Sequence, residues 1–62
     1  MKGQVVWRGF SARVRCPSGE IVTVSSMATS ERQARYKARL KAREKKHLDR
    51  GAFVEVLLLQ FS

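Results

Sequence analysis

Apolar side chains alternate with other residues through the first quarter of the chain. Across residues 4–16, one side of this alternation carries Val6, Phe10, Ala12, Val14 and Cys16. The other side carries Trp7, Gly9, Ser11, Arg13 and Arg15. A period of two residues is typical of a β-strand with one buried face, so this segment is predicted to be a strand. Gly9 marks a position where a β-bulge would shift the alternation of the residues before it.

The tripeptide Pro17-Ser18-Gly19 fits a three-residue hairpin loop after that strand. Proline presets the backbone of the first turn position, and glycine accepts the left-handed backbone that closes the turn. With this loop, Cys16 faces Glu20. The predicted cross-strand pairs are Val14 with Val22, Ala12 with Val24, and Arg13 with Thr23. The apolar positions of both strands then meet on one face, so the turn and the alternation agree on the hairpin.

A helix is predicted from Glu31 to about Leu48, because this segment has no glycine or proline and is rich in good helix formers. Ser30 is a good N-cap, and Gln33 three residues later completes a capping-box pattern. The carboxylate of Glu31 suits the positive end of the helix dipole. Gly51 stands where a C-terminal cap is expected.

The last segment, residues 52–62, is rich in Phe, Val and Leu and is predicted to form a third strand. Its alternation places Phe53, Leu57, Leu59 and Phe61 on one face, and Val54, Val56 and Leu58 on the other. A single helix can cover only one of these apolar faces. A second copy of the chain is the simplest cover for the other, so a homodimer through the strand of residues 53–61 is predicted.

The predicted order is therefore strand, strand, helix, strand, within one domain that spans residues 1–62. A right-handed helical crossover makes the second and third strands parallel. The third strand then lies beside the first and antiparallel to it. The predicted fold class is α+β: a β-β-α-β domain with a three-stranded sheet and one helix packed on one face.

Either of two sides of the helix could pack against the sheet. Ala34, Ala38 and Ala42 form a row of small side chains, called here the alanine stripe, that would let the helix sit close to the sheet. Tyr36, Leu40 and His47 line a different side. Only one side can face the hairpin squarely. The other is exposed or used in an oligomer, which supports the predicted dimer.

Charge is the strongest signal in the composition. The 62 residues include 13 Lys and Arg against 5 Asp and Glu, for a net charge of +8. Such a field attracts polyanions, whether nucleic acid, an anionic membrane surface or an acidic protein patch. The longest apolar run, residues 56–59, is too short to span a bilayer. One cysteine cannot form an internal disulfide, and the first residues lack a signal-peptide pattern, so a cytoplasmic location is predicted.

Nine of the 13 lysines and arginines fall between residues 31 and 50. At about 100° per residue, six of them lie within roughly a quarter turn of the predicted helix. These six, called here the basic stripe, are Arg32, Arg35, Arg39, Arg43, Lys46 and Arg50. Guanidinium groups offer planar forks of donors that suit phosphates. A solvated helix face usually mixes charge signs, whereas this stripe contains no acid, so polyanion binding is favoured over simple solvation.

The polar face of the hairpin is the second candidate site. Arg13 and Arg15 lie there among Ser11, Thr23 and Ser25. A two-stranded ribbon can enter a DNA major groove, and an aromatic side chain can stack on an unpaired base. A sheet face away from the helix is polar in any case, so the role of the two arginines stays open. Trp7 is more simply explained as part of the core.

The sequence offers little for catalysis or for a cofactor. Cys16 and His47 are the only cysteine and histidine, which falls short of the three or four ligands of a zinc site. Cys16 lies on the predicted buried face and His47 at the far end of the helix, which argues against a nucleophile pair. The chain has no glycine-rich phosphate loop and no paired carboxylates. We therefore expect a binding protein without catalytic residues, cofactor or metal.

Residues 7–44 resemble the AP2-like, arm-type DNA-binding domains found at the N-termini of tyrosine recombinases. The matching residues are Trp7, Ala12-Arg13-Val14-Arg15, Ser18-Gly19 and Thr29-Ser30-Glu31. The resemblance implies that the sheet enters the major groove, which would raise the importance of Arg13 and Arg15. The strand predicted after the helix departs from that family's order of three strands followed by a helix.

These observations predict a small basic nucleic-acid-binding protein, with DNA favoured over RNA. It would contact mainly phosphates through the basic stripe, the arginines of the sheet face, or both. The alternative is a small phage- or plasmid-type interaction module that docks on an acidic host protein. Size, basicity and a strand available for edge pairing fit that alternative equally well. A structural subunit that assembles through its third strand is a further alternative.

Overall fold

The computed structural model describes residues 5–62, so Gln4, where the alternation begins, lies outside the described residues. The elements are β1 (Arg8–Arg15), β2 (Ile21–Ala28), α1 (Glu31–Lys45) and β3 (Glu55–Phe61). The predicted order of strand, strand, helix, strand is confirmed, and the fold is a small α+β domain. β3 begins at Glu55, later than the predicted start at Ala52.

The hairpin of β1 and β2 has the predicted register. The paired residues include Val14 with Val22, Ala12 with Val24, and Arg13 with Thr23. The N–H of Gly19 donates to the carbonyl of Cys16 at 2.8 Å, and the N–H of Cys16 donates to the carbonyl of Glu20 at 2.8 Å. Gly19 has a φ of 94°, in the left-handed region that favours glycine. The turn residues and the strand alternation therefore specify one register together.

The strands lie in the order β2-β1-β3, and β1 is antiparallel to both neighbours. β2 and β3 therefore run in the same direction, as the crossover rule predicts. The helix packs on one face of this sheet, and the other face is called here the open face. Among the described residues, β2 and β3 each pair on one side only and form the two sheet edges.

The pairing of β1 with β3 contains a bulge that the sequence did not reveal. Ser11 is opposite Gln60, whereas the next residue, Ala12, is opposite Leu58. Leu59 is therefore the extra residue of β3. An extra residue reverses the alternation of the side chains that follow it.

The bulge decides on which side Phe61 lies. Phe61 is half-buried and packs against the core, so its predicted place on the same face as Phe53 is wrong. The bulge predicted at Gly9 is also wrong, since Gly9 pairs with Met27 within a continuous register. Alternation marks a strand but does not locate the residue at which its phase changes.

The core lies between α1 and the sheet, and the partly buried Val56, Leu58 and Phe61 of β3 pack against it. Its buried members are Phe10, Ala12, Val14, Cys16, Val22, Val24, Ala28, Ala34, Ala38, Ala42 and Val54. The alanine stripe is the side of α1 that faces the sheet. Tyr36 and Leu40 are exposed on another side of the helix. Because alanine side chains are short, the helix sits close to the sheet and large residues there would not fit.

Trp7 does not belong to the core, contrary to the prediction. It precedes β1 and is 52% exposed. The ammonium of Lys37 lies 4.5 Å from the centroid of the indole ring and donates to the carbonyl of Met27 at 2.9 Å. This cation–π contact places Trp7 beside β2, at one edge of the sheet.

The start of α1 uses the predicted capping residues with one difference. The N–H of Gln33 donates to the Oγ of Ser30 at 3.2 Å, as expected for an N-cap. The side-chain oxygen of Gln33 accepts from the N–H of Thr29 at 2.7 Å and from its hydroxyl at 3.0 Å. The return bond of the capping box therefore goes to the residue before the cap, and still anchors the chain as it leaves β2.

The helix ends earlier than predicted and without the expected glycine cap. Its last residue is Lys45, and Gly51 plays no part in the cap. His47 adopts a φ of 56°, and the N–H of Leu48 donates to the carbonyl of Arg43 at 2.8 Å. This is the hydrogen bond of a Schellman motif. It turns the chain so that Leu48 packs against the core, which a straight continuation of the helix would not achieve.

Replacing His47 with glycine is expected to stabilise the protein by about 0.5–1 kcal/mol. A left-handed backbone costs an L-residue about 1–2 kcal/mol, and the extra unfolded-state freedom of glycine offsets part of the gain. For a domain of this size the gain raises Tm by about 2–8 °C in thermal unfolding. Lys45→Gly is the control, since glycine inside the last helical turn should lower Tm instead. An unchanged or lower Tm for His47→Gly would show that the left-handed turn does not form.

Candidate nucleic-acid interface

The predicted basic stripe is interrupted because α1 is shorter than expected. Arg32, Arg35, Arg39 and Arg43 lie on the helix, Lys46 is the C-cap residue, and Arg50 lies in the connection beyond it. The prediction that all six share one helical arc is therefore wrong for Arg50. The first four still recur at spacings of three and four residues, so they are neighbours along one side of α1.

Two members of the basic stripe hold the fold together. The Nε of Arg43 donates to the carbonyl of Ala52 at 2.9 Å, which ties the helix to the segment leading into β3. Lys46 forms an ion pair with Glu20 in the hairpin turn. These contacts satisfy charged donors within the protein, so Arg43 and Lys46 are less available to an external ligand than the other members.

The remaining helical arginines have no acidic partner among residues 5–62. Arg32 and Arg35 are exposed, and Arg39 is half-buried. Arg35 and Arg39 are four residues apart, and Arg32 is three residues before Arg35, so the three guanidinium groups are neighbours along one side of α1. Without a neutralising carboxylate, these three arginines create a strong local positive potential.

The polar residues predicted for the sheet lie on the open face, as expected. Arg13 is flanked across the strands by Thr23 and Leu57, and Arg15 by Ile21 and Glu55. Within the described residues, Arg13 has no acidic partner. Both arginines are exposed.

Arg15 has a weak internal partner. Its guanidinium lies 3.7 Å from the carboxylate of Glu55, and both side chains are more than half exposed. An ion pair this accessible to water contributes about 0–1 kcal/mol. A phosphate could therefore displace Glu55 at little energetic cost.

The open face also carries apolar side chains near β3. Phe53 is 75% exposed, Leu57 is 60% exposed and Leu59 is 47% exposed. The prediction that β3 has apolar residues on both sides is confirmed for this group. No other described part of the chain covers them.

One shallow concavity brings the two candidate surfaces together. Its lining consists of Arg13, Arg15, Ile21, Arg39, Phe53, Val54, Glu55, Val56 and Leu57, and it is called here the β3 concavity. Two of its arginines come from β1 and one from α1. From the sequence, the helix and the sheet face are two candidate surfaces, used singly or together. The structure places residues of both in one lining, which runs from the open face past β3 to the face that α1 covers.

Ile21, Phe53 and Leu57 line this site but are not among the candidate site residues that the sequence predicts. The alternation of Phe53 and Leu57 predicts only an apolar face for a dimer contact. Their position opposite the arginines of β1 follows from the pairing of Arg13 with Leu57. The exposed Trp7 and the half-buried Lys37 are not part of this lining.

The described residues contain no cluster of three or more potential metal ligands from His, Cys, Asp and Glu. Cys16 is buried in the core, and His47 is exposed beyond the end of α1. Within residues 5–62, no helix is long and apolar enough to cross a bilayer.

Comparison with known proteins does not assign the chain to a family. No family model, curated protein or solved structure matches it. The resemblance to arm-type DNA-binding domains therefore stays an expectation drawn from a few residues.

Proposed function

We propose that the protein binds nucleic acid at the β3 concavity and contacts it mainly through phosphates. The observation that supports this proposal is that Arg13 and Arg15 of β1 and Arg39 of α1 all line one concavity. The lining contains three guanidinium groups and a single carboxylate, that of Glu55. This excess of positive charge favours a polyanionic ligand.

Arginine is well suited to this role. Its planar fork can donate two parallel hydrogen bonds to a phosphate, and it stays charged at any physiological pH. Arg13 and Arg15 are two residues apart on one strand, so both side chains project from the same face of the sheet. They can contact neighbouring phosphates of one strand of nucleic acid.

Two further arginines on α1 extend this surface beyond the concavity. Arg32 and Arg35 continue from Arg39 along the same side of the helix. A nucleic-acid strand that leaves the concavity past Arg39 would meet two further guanidinium groups. The net charge of +8 would speed the encounter of such a protein with DNA or RNA in the cytoplasm.

The homodimer predicted through residues 53–61 belongs to this proposal as a competing occupant. The outer edge of β3 has no partner among residues 5–62, and the exposed Leu57 and Leu59 lie beside it. An unpaired strand edge next to apolar side chains favours association. A second copy and a nucleic acid would cover some of the same side chains, so they should compete.

Fluorescence anisotropy with labelled single-stranded DNA, single-stranded RNA and duplex DNA tests the proposal. Three or four neutralised phosphates on a single strand predict an affinity loss of about 20- to 50-fold between 50 and 200 mM salt. Polyglutamate serves as competitor for an acidic protein partner. Absence of binding to all three nucleic acids at 50 mM salt would refute the proposal. Equal displacement by a small excess of polyglutamate would favour the acidic-protein alternative.

A further inference from the structure

Phe53 is the most exposed large apolar side chain of the described residues, at 75%. It lies just before β3 and lines the same concavity as Arg13, Arg15 and Arg39. Because the exposed ring presents a large apolar area to water, its burial against another flat surface is favourable. Its surroundings are cationic, so the covering group is expected to belong to an anionic molecule.

The apolar neighbours of Phe53 enlarge this flat surface. Ile21 is 50% exposed and Leu57 is 60% exposed, and both line the concavity. They lie on either side of the β1 arginines, since Ile21 is opposite Arg15 and Leu57 is opposite Arg13. Each of these arginines therefore has one exposed apolar neighbour across the strands of the open face.

We infer that the β3 concavity takes unpaired nucleotides of a single-stranded nucleic acid. A base stacks on the ring of Phe53 with Leu57 beside it, while Arg13 and Arg39 bind phosphates. Aromatic stacking combined with a basic groove is how proteins hold single strands without reading their sequence. This inference rests on the proposed function, because it specifies the form of nucleic acid bound at the same site.

Duplex DNA fits the concavity less well. In a duplex the bases are stacked on each other, and a surface that touches the backbone meets charged phosphates. Phe53, Leu57 and Ile21 would then lie against phosphates without a partner for their apolar surface. A single strand offers both the phosphates and the flat faces of its bases.

The test compares Phe53→Leu and Phe53→Trp with wild type, using 12-residue oligothymidine and a 12-base-pair duplex at 0.1 M salt. Leucine stays apolar but cannot stack, so Phe53→Leu should weaken oligothymidine binding about 5- to 150-fold. The salt slope should stay the same, since no charge is removed. Phe53→Trp should bind oligothymidine within about threefold of wild type, and duplex affinity should change little for either variant.

Tyr36→Leu is the matched control, because it removes another exposed aromatic ring that lies outside the concavity. It should leave oligothymidine binding unchanged. If wild type binds neither nucleic acid, the proposed function fails. If wild type binds both and Phe53→Leu binds oligothymidine as tightly as wild type, only the single-strand inference is overturned. A Phe53→Leu variant that loses a dimer in sedimentation equilibrium, with unchanged oligothymidine affinity, would assign Phe53 to a second copy and overturn it as well.

Discussion

Replacing Arg13 and Arg39 together with alanine is expected to weaken oligothymidine binding on the order of 100-fold at 0.1 M salt. Each arginine would lose one charge-assisted hydrogen bond to phosphate, about 1.5 kcal/mol, or roughly tenfold in affinity. The salt dependence should fall too, because each phosphate contact on a single strand contributes about 0.7 to the slope. Two lost contacts therefore reduce the slope by about 1.4. Anisotropy titrations at three salt concentrations measure both quantities.

The matched control is Lys41→Ala combined with Lys45→Ala. These exposed lysines lie on α1 outside the β3 concavity, and the double substitution removes the same net charge. It lowers the overall field equally but removes no proposed phosphate contact, so affinity should fall less than about threefold. Equal losses for both double variants would mean that only net charge matters and that the concavity is not the site.

Replacing Ala38 with leucine is expected to give the largest loss of stability among the substitutions considered. Ala38 is 0% exposed at the centre of the alanine stripe, where α1 packs closely on the sheet. Adding a branched side chain to a well-packed interface costs about 1–3 kcal/mol. A 62-residue protein has roughly 3–9 kcal/mol of stability in total. Thermal unfolding should show Tm lower by about 4–8 °C for each kcal/mol lost.

Tyr36→Leu serves as control for that experiment as well. It places the same leucine on the exposed side of α1, where substitutions usually change stability by less than about 0.5 kcal/mol. The two variants therefore separate the cost of crowding from any general effect of leucine in the helix. If Ala38→Leu unfolds at the temperature of wild type, the alanine stripe does not face the sheet closely.

The hairpin and the topology could be predicted because local signals agreed with each other. Pro17 and Gly19 specify the turn, and the alternation on both sides of it specifies the same register. Once β1 and β2 pair, few positions in the sheet remain for the apolar third strand. A right-handed crossover puts it beside β1, where its hydrogen bonds are satisfied.

The end of the helix and the bulge could not be predicted, because both depend on packing. The residues up to Asp49 are acceptable in a helix, yet the chain turns at His47 so that Leu48 can reach the core. Leu59 is the extra residue of β3 for a similar reason, since it lets Phe61 pack inward. Local propensity does not measure what a buried contact far along the chain contributes.

The candidate site was predicted in part. Arg13, Arg15 and Arg39 were identified from charge and spacing, but they belonged to two separate hypotheses. Their place in one lining depends on the position of β3 beside β1, with α1 on the other face of the sheet. Arg43 and Lys46 carried the same sequence signal as Arg39, and only the structure separates internal contacts from available charges. Trp7 is the aromatic residue that the sequence offers for base stacking, whereas Phe53 is the aromatic residue that lines the concavity.

Chemical-shift mapping by NMR would show directly whether a nucleic acid lies in the β3 concavity. The ¹H–¹⁵N spectrum would be followed while unlabelled oligothymidine is added at 50 mM salt. We predict that the largest shifts fall on the backbone amides of Arg13, Arg15, Phe53 and Leu57 and on the side-chain Nε–H of Arg39. Shifts confined to Trp7, Lys37 and Lys41, which do not line the concavity, would show that the nucleic acid binds elsewhere.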